Sequence, residues 1–216
     1  SATQRSSGTA FEPGSGSTIM SYAGSCGSDN VIGDNEDYFH VGSLEQMYAK
    51  TQPSGNAYSC AQRIITANRL PVISVPSKTY TIPVLTPFEL AGTATDEDGD
   101  LLTYTWEQYD IGSVATLGTP TETGPLFRSF RPSATGNVRF FPRASNLTSG
   151  IFNEKTEVLP NTTRNMSFQL TVRDNNPAGG GVAWDDYSVK VDALVGPFKI
   201  THPAIDFRFK VGEVVK

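Results

Sequence analysis

Met166-Ser167-Phe168-Gln169-Leu170-Thr171-Val172-Arg173 alternates apolar and polar side chains without a break. Successive side chains of an extended chain point to opposite faces, so the octapeptide reads as a β-strand with one apolar face and one polar face. The pattern repeats outward from it. Tyr187, Val189 and Val191 interleave with Ser188, Lys190 and Asp192. On the N-terminal side Leu102, Tyr104 and Trp106 interleave with Thr103, Thr105 and Glu107, and Phe88 and Leu90 flank Glu89. The apolar sets are expected to build a core and the polar sets to face water.

Turn signals separate these runs: Asp98-Gly99-Asp100, Asn175-Asn176-Pro177 and Gly179-Gly180-Gly181. Leu70 to Pro76 reads as a linker and a first strand. Gly124 to Pro132 and Val138 to Arg143 read as short strands near proline-limited edges, and residues 144–160 as a long loop. Several such strands with Trp106 on the inward face of an early one predict a mainly β chain, with an immunoglobulin/fibronectin-III-like sandwich over residues 69–197.

Residues 1–68 have a different character. Gly8 to Gly16 is rich in glycine and serine, and Asp29 to Asp37 is acidic and turn-forming. One helix is expected. Ser43 and Gln46 have the spacing of a capping box, Val41, Leu44, Met47 and Tyr48 recur on one helical face, and Pro53-Ser54-Gly55 ends the run.

The run Thr18-Ile19-Met20-Ser21-Tyr22 has the form of a tight turn carrying a methionine. With its flanks, Glu12 to Ser17 and Ala23 to Ser28, it resembles the Met-turn of the metzincins. These are zinc proteases in which that turn follows an HExxHxxGxxH motif. Together the turn and its flanks resemble a secreted bacterial group of reprolysin-like metalloproteases. The resemblance implies that Met20, Ser21 and Tyr22 lie beneath a zinc ion, where a flexible thioether fills an irregular gap without competing as a hard ligand. Tyr38 to Met47 resembles the C-terminal helix that packs beneath such a site. Gly124 to Ser129, Arg139 to Arg143 and Phe168 to Asn175 resemble the β domain that follows it, so the likeness covers about residues 9–200.

The family activity is hydrolysis of a protein or peptide substrate by zinc-bound water, with the motif glutamate as base. No HExxH occurs here, and the chain has 2 histidines, His40 and His202. No catalytic residue of that set is present. The chain is therefore read as the part of a zinc metalloendopeptidase that follows its zinc helix, inactive by itself, with zinc a cofactor of the intact parent only. Residues 1–68 would be a small, mostly irregular end of the protease domain, residues 69–197 the sandwich, and residues 198–216 an extension toward a further module. The competing reading is a non-enzymatic extracellular binding or adhesion module stabilised by calcium, whose first segment only looks like a Met-turn.

Composition narrows the partners. A net charge of -5 argues against nucleic acid, which calls for basic patches, and against docking to an anionic membrane. No apolar run approaches the ~18 residues of a membrane span. The polar start, Ser1 to Gly8, reads as a cut through a loop. Many turn residues with only 18% charged residues suit a secreted, β-rich protein. Cys26 and Cys60 both lie in polar, loop-like sequence, so a disulfide is expected in preference to two buried thiols. Closing that loop is worth roughly 3–4 kcal/mol on the chain-entropy account.

Asp96, Asp98 and Asp100 around Gly99 are the metal candidates. Carboxylates at alternating positions can converge on Ca²⁺, which takes six to eight oxygens, and Asp174, Asp185 and Asp186 are further potential ligands. The same residues also suit an ordinary solvated hairpin turn. His40 is expected to be structural, a hydrogen-bonded group where the helix begins. Arg128, Arg131, Arg139 and Arg143 cluster with Phe127, Phe130, Phe140 and Phe141; such arginines more often cover apolar surface and pair with carboxylates than bind an acidic partner. Three sequons begin at Asn146, Asn161 and Asn165.

Overall fold

The structure, a computed structural model, describes residues 5–60, 62–75 and 78–199. A 3-10 turn (Gly27–Asp29) precedes helix α1 (Val41–Thr51). Strands β1 (Val72–Ser74), β2 (Thr79–Pro83), β3 (Phe88–Ala91), β4 (Thr93–Thr95), β5 (Thr103–Gln108) and β6 (Val138–Phe141) follow. After helix α2 (Ala144–Thr148) come β7 (Asn153–Glu154), β8 (Glu157–Val158), β9 (Arg164–Arg173) and β10 (Val182–Asp192). With ten strands against two α-helices among the described residues, the chain is mainly β.

The alternating stretch that begins at Met166 is the body of β9, inside a four-stranded sheet of order β2-β10-β9-β5. β9 runs antiparallel to both neighbours, with Leu170 opposite Trp106 of β5 and Phe168 opposite Tyr187 of β10; β2 joins the far side of β10 in parallel. The pairs β1–β4, β3–β6 and β7–β8 are all antiparallel. Met166, Phe168, Leu170 and Val172 are each 0% exposed. They pack with Trp106, Tyr187, Val189 and Val191 against Leu90 of β3 and Phe141 of β6. Phe88 stacks on Phe141 at 4.8 Å, and Phe141 meets Phe168 edge-on at 4.9 Å. Burying each such side chain contributes about 1.5–3 kcal/mol. Gly92 separates β3 from β4, where any Cβ would lie 2.5 Å from Leu170 Cδ2.

The opposite face of this sheet differs from expectation. Thr105, Glu107, Gln169 and Thr171 belong to the set expected to face water, yet all are buried. Residues 11–51 cover them. Phe11 stacks on Tyr109 at 4.4 Å, the Arg173 guanidinium donates to Phe39 O at 2.9 Å, and the Gln169 amide donates to Glu45 at 3.1 Å. The alternation is sound, but polarity there matches a polar cover rather than solvent. At the far end of the strands Ser167 and Lys190 do face solvent.

Other boundaries also move. Helix α1 opens at Val41, two residues before the expected capping box, because His40 Nδ1 accepts the Gly42 N–H at 3.1 Å and serves as the cap. Its apolar face docks only through the first turn. Val41 is 0% exposed, whereas Met47 and Tyr48 are exposed and Tyr48 merely meets Trp184 edge-on at 6.0 Å. Gly124 to Pro132 contributes one isolated bridge, Phe127 to Glu157, rather than a strand. Residues 144–160 contain α2 and the β7–β8 hairpin rather than an open loop. Expectations about His202 and about the tail from Ile200 onward lie outside the described residues.

Candidate functional site

Thr18 to Ser21 forms a tight turn closed by the Ser21 N–H to Thr18 O at 3.0 Å. Met20 rides on it with 68% of its surface exposed, between Ile19 and Tyr22, which are also exposed. The backbone beneath is heavily bonded. Ile19 N donates to Tyr38 O at 3.1 Å, Tyr22 N to Ser15 O at 2.9 Å, and Glu36 N to Ser17 O at 2.7 Å. The Glu12 carboxylate accepts from Ser17 N (2.8 Å), Ser17 Oγ (3.2 Å), Thr18 N (3.2 Å) and Thr18 Oγ1 (2.6 Å). From the other side Asn35 Nδ2 faces the carbonyls of Thr18 (2.9 Å), Ile19 (2.8 Å) and Ser21 (3.2 Å). Gly16, at φ 70°, has no room for a side chain: its Cβ would meet Ser21 Cβ at 2.7 Å and Glu12 Oε2 at 2.9 Å. Phe11, Glu12, Met20, Ser21, Tyr22 and Cys26 are among the walls of a concavity of about 580 Å³ beside the turn.

Below this turn lies a buried polar bed. Glu107 of β5, 0% exposed, accepts from Val41 N at 3.0 Å, Ser129 Oγ at 2.9 Å and Thr171 Oγ1 at 3.0 Å. His40 Nε2 lies 4.0 Å from the same carboxylate. Burial first, and then the Glu107 charge, pushes the Tyr38 hydroxyl above its ordinary pKa. His40, the one histidine among the described residues, is thus occupied as a helix cap, and it gathers no group of metal-ligating side chains among the described residues.

The acidic loop forms a second cluster. Asp96, Asp100 and Asp174 each place a carboxylate oxygen within 4.8 Å of the others. Asp98 is not part of this group: it is exposed, and its Oδ2 accepts the Arg69 N–H at 2.7 Å. Of the other suggested acids only Asp174 joins; Asp185 pairs with Lys78 at 2.5 Å and Asp186 accepts from Gln169 at 2.8 Å. Asp96 Oδ1 accepts from Asp98 N and Asp100 N, while its Oδ2 is enclosed and lacks a hydrogen-bond partner. Asp174, 1% exposed, accepts from Asn176 N, Gly181 N and Asn68 Nδ2. A backbone turn at 96–100 and the β9–β10 loop bring these acids together.

Comparison of the chain with protein-family models, with curated proteins and with solved structures gives no match.

The arginine cluster is structural. Arg128, Arg139 and Arg143 place their guanidinium carbons 4.8, 4.6 and 5.5 Å from the centre of the Phe130 ring. Each is also paired, with Glu36, Glu157 and Glu154 respectively, at 2.9 Å. Arg131 pairs with Asp37 at 2.8 Å. The Asn146 sequon is buried, with its amide donating to Glu154 at 2.6 Å, whereas Asn161 and Asn165 are exposed.

The expected Cys26–Cys60 disulfide is not formed. Each thiol bonds within its own turn: Cys26 Sγ donates to Tyr22 O at 3.8 Å, and Cys60 Sγ donates to Ala57 O at 3.2 Å. The polar, loop-like setting that suggested pairing reflects two separate turns. No helix among the described residues is long and apolar enough to cross a membrane.

Sequence reasoning located the methionine turn and the acidic loop. It missed Glu12, Asn35 and Glu107. Glu12 precedes a Ser-Thr pair by five and six residues, a usable signal for a carboxylate reaching over a short loop. Glu107 sat in a regular polar register and carried no signal of its own.

Proposed function

We propose that this chain is part of a secreted zinc metalloendopeptidase of the metzincin type, contributing the methionine turn and the structure beneath it. The observation that carries the reading is Met20 at the apex of a tightly bonded turn, 68% exposed beside an open concavity. With Ile19 and Tyr22 exposed beside it, Met20 forms part of a contiguous apolar patch on a bonded mount, and such a patch is suited to being covered by another element. The resemblance supplies that element, a helix bearing the zinc ligands, which this chain's own residues do not provide. Residues 69–197 fit the role of an immunoglobulin-like sandwich. Their support is the β2-β10-β9-β5 order, the parallel β2–β10 pair and the inward Trp106. The substrate in the intact parent would be a protein or peptide.

The test extends the chain N-terminally with the residues encoded upstream. The expected result is an HExxHxxGxxH motif there, and an extended protein that binds one zinc and cleaves peptides in a chelator-sensitive way. The 216 residues alone would do neither. Another sandwich module upstream, or cleavage by the chain alone, overturns the reading.

A second reading has its own observation. Asp96, Asp100 and Asp174 suit a calcium ion, since three carboxylates crowd one point and Asp96 Oδ2 lacks a partner. Such a site would stabilise the loops at one end of the strands and fits equally an extracellular binding module. A rise in melting temperature with added Ca²⁺ would support it, and no rise would dismiss it.

A further inference from the structure

We infer that Glu12 and Asn35 are positioning residues that set the methionine turn in its working shape before anything covers it; this rests on the protease reading above. The geometry is two-sided. Glu12 takes the N–H and O–H groups of Ser17 and Thr18, and Asn35 faces the carbonyls of Thr18, Ile19 and Ser21. Together they grip the chain on both flanks of Met20 and make no demand on its side chain. An exposed turn of this kind, without such a grip, samples several backbone shapes. Charge-assisted bonds from four donors to one carboxylate are stronger than neutral ones and hold a single shape.

The grip is also sterically closed. Gly16 passes this carboxylate without a side chain; a Cβ there would lie 2.9 Å from Glu12 Oε2, so any larger residue would crowd the carboxylate's seat. Asn35 is fixed by its neighbour, because Glu36 N donates to Ser17 O at 2.7 Å and ties the two loops together. A site that must receive a metal-bearing element gains from a floor whose geometry is set in advance, because no ordering remains to be done on docking.

Two measurements test the inference. In the 216-residue chain, amide hydrogen exchange at Ser17, Thr18 and Ser21 should speed up about tenfold or more in Glu12→Gln and in Asn35→Ala, while β9 and β10 amides keep their protection. Glu12→Asp should recover less than the wild-type protection because its carboxylate is one methylene short. In the N-terminally extended protein, Glu12→Gln should lower kcat with zinc content and KM retained, as expected of a displaced floor rather than a lost ligand or substrate contact. Unchanged exchange in both variants overturns the grip. Loosened exchange with unchanged kcat overturns its positioning role. An extended wild-type protein that neither binds zinc nor cleaves overturns the protease reading instead, and leaves the exchange result to be judged alone.

Discussion

The Glu107 carboxylate on β5 accepts the Val41 N–H that opens helix α1, at 3.0 Å and with no exposure to solvent. A helix N-terminus carries unsatisfied N–H groups and a partial positive charge, so a buried carboxylate there answers both. Ser129 and Thr171 complete its acceptor sites. One side chain thus fastens the helical segment to the centre of the main sheet.

Glu107→Ala should therefore cost roughly 3–5 kcal/mol, since three buried donors lose their acceptor together. Glu107→Gln should cost less, because its carbonyl oxygen still accepts. Urea denaturation followed both by helical circular dichroism and by tryptophan fluorescence should give one shared transition in the wild type. A loss below 1 kcal/mol in Glu107→Ala would show that the carboxylate is not the fastening.

Calcium, if bound, should respond to Asp174 and not to Asp98. At about 100 times its dissociation constant a ligand of the folded state adds about 2.7 kcal/mol. Asp174→Asn should abolish the gain in melting temperature, and Asp98→Ala should retain it, since Asp98 bonds to Arg69 instead. The reverse pattern would place the ion on the exposed tip of the loop.

Glu154 sets a pH dependence. Burial would raise its pKa, but the bonds from Arg143 and Asn146 outweigh that and hold it below the ordinary value. A depressed folded-state pKa means that the unfolded chain binds the proton first as pH falls. Stability from this group is complete above the unfolded value of about 4.3 and is lost as pH falls through the lower folded value. Melting temperatures across that window should fall less steeply in Glu154→Gln than in the wild type; identical slopes would remove Glu154 from the account.

The thiols give a chemical check. Alkylation of the native chain without reductant should add two labels, with exposed Cys60 reacting before half-buried Cys26. A native mass with no label added would restore the disulfide.

The sequence by itself determined the inward faces of the main strands, but not core residues such as Val84 and Leu159 outside them. Met166, Phe168, Leu170 and Val172 announce an apolar strand face through their spacing alone, and all four are fully buried. Period two is a local property of an extended chain and needs no knowledge of neighbours. The acidic loop was legible for a similar reason, since aspartate and glycine fix local backbone shape, whereas the methionine turn was legible only through the resemblance its residues carry.

Only the tertiary structure decided what covers the second face of the sheet. Thr105, Glu107, Gln169 and Thr171 have the residue types of a solvent face, and a polar cover bonds each of them in place of water, although Gln169 Oε1 is left without a partner. Their partners, Val41, Ser129, Glu45 and each other, come from distant points of the chain. The same holds for Asp174, brought to Asp96 and Asp100 from the far end of β9. Spacing reports which way a side chain points, whereas its partner across space depends on how whole elements pack.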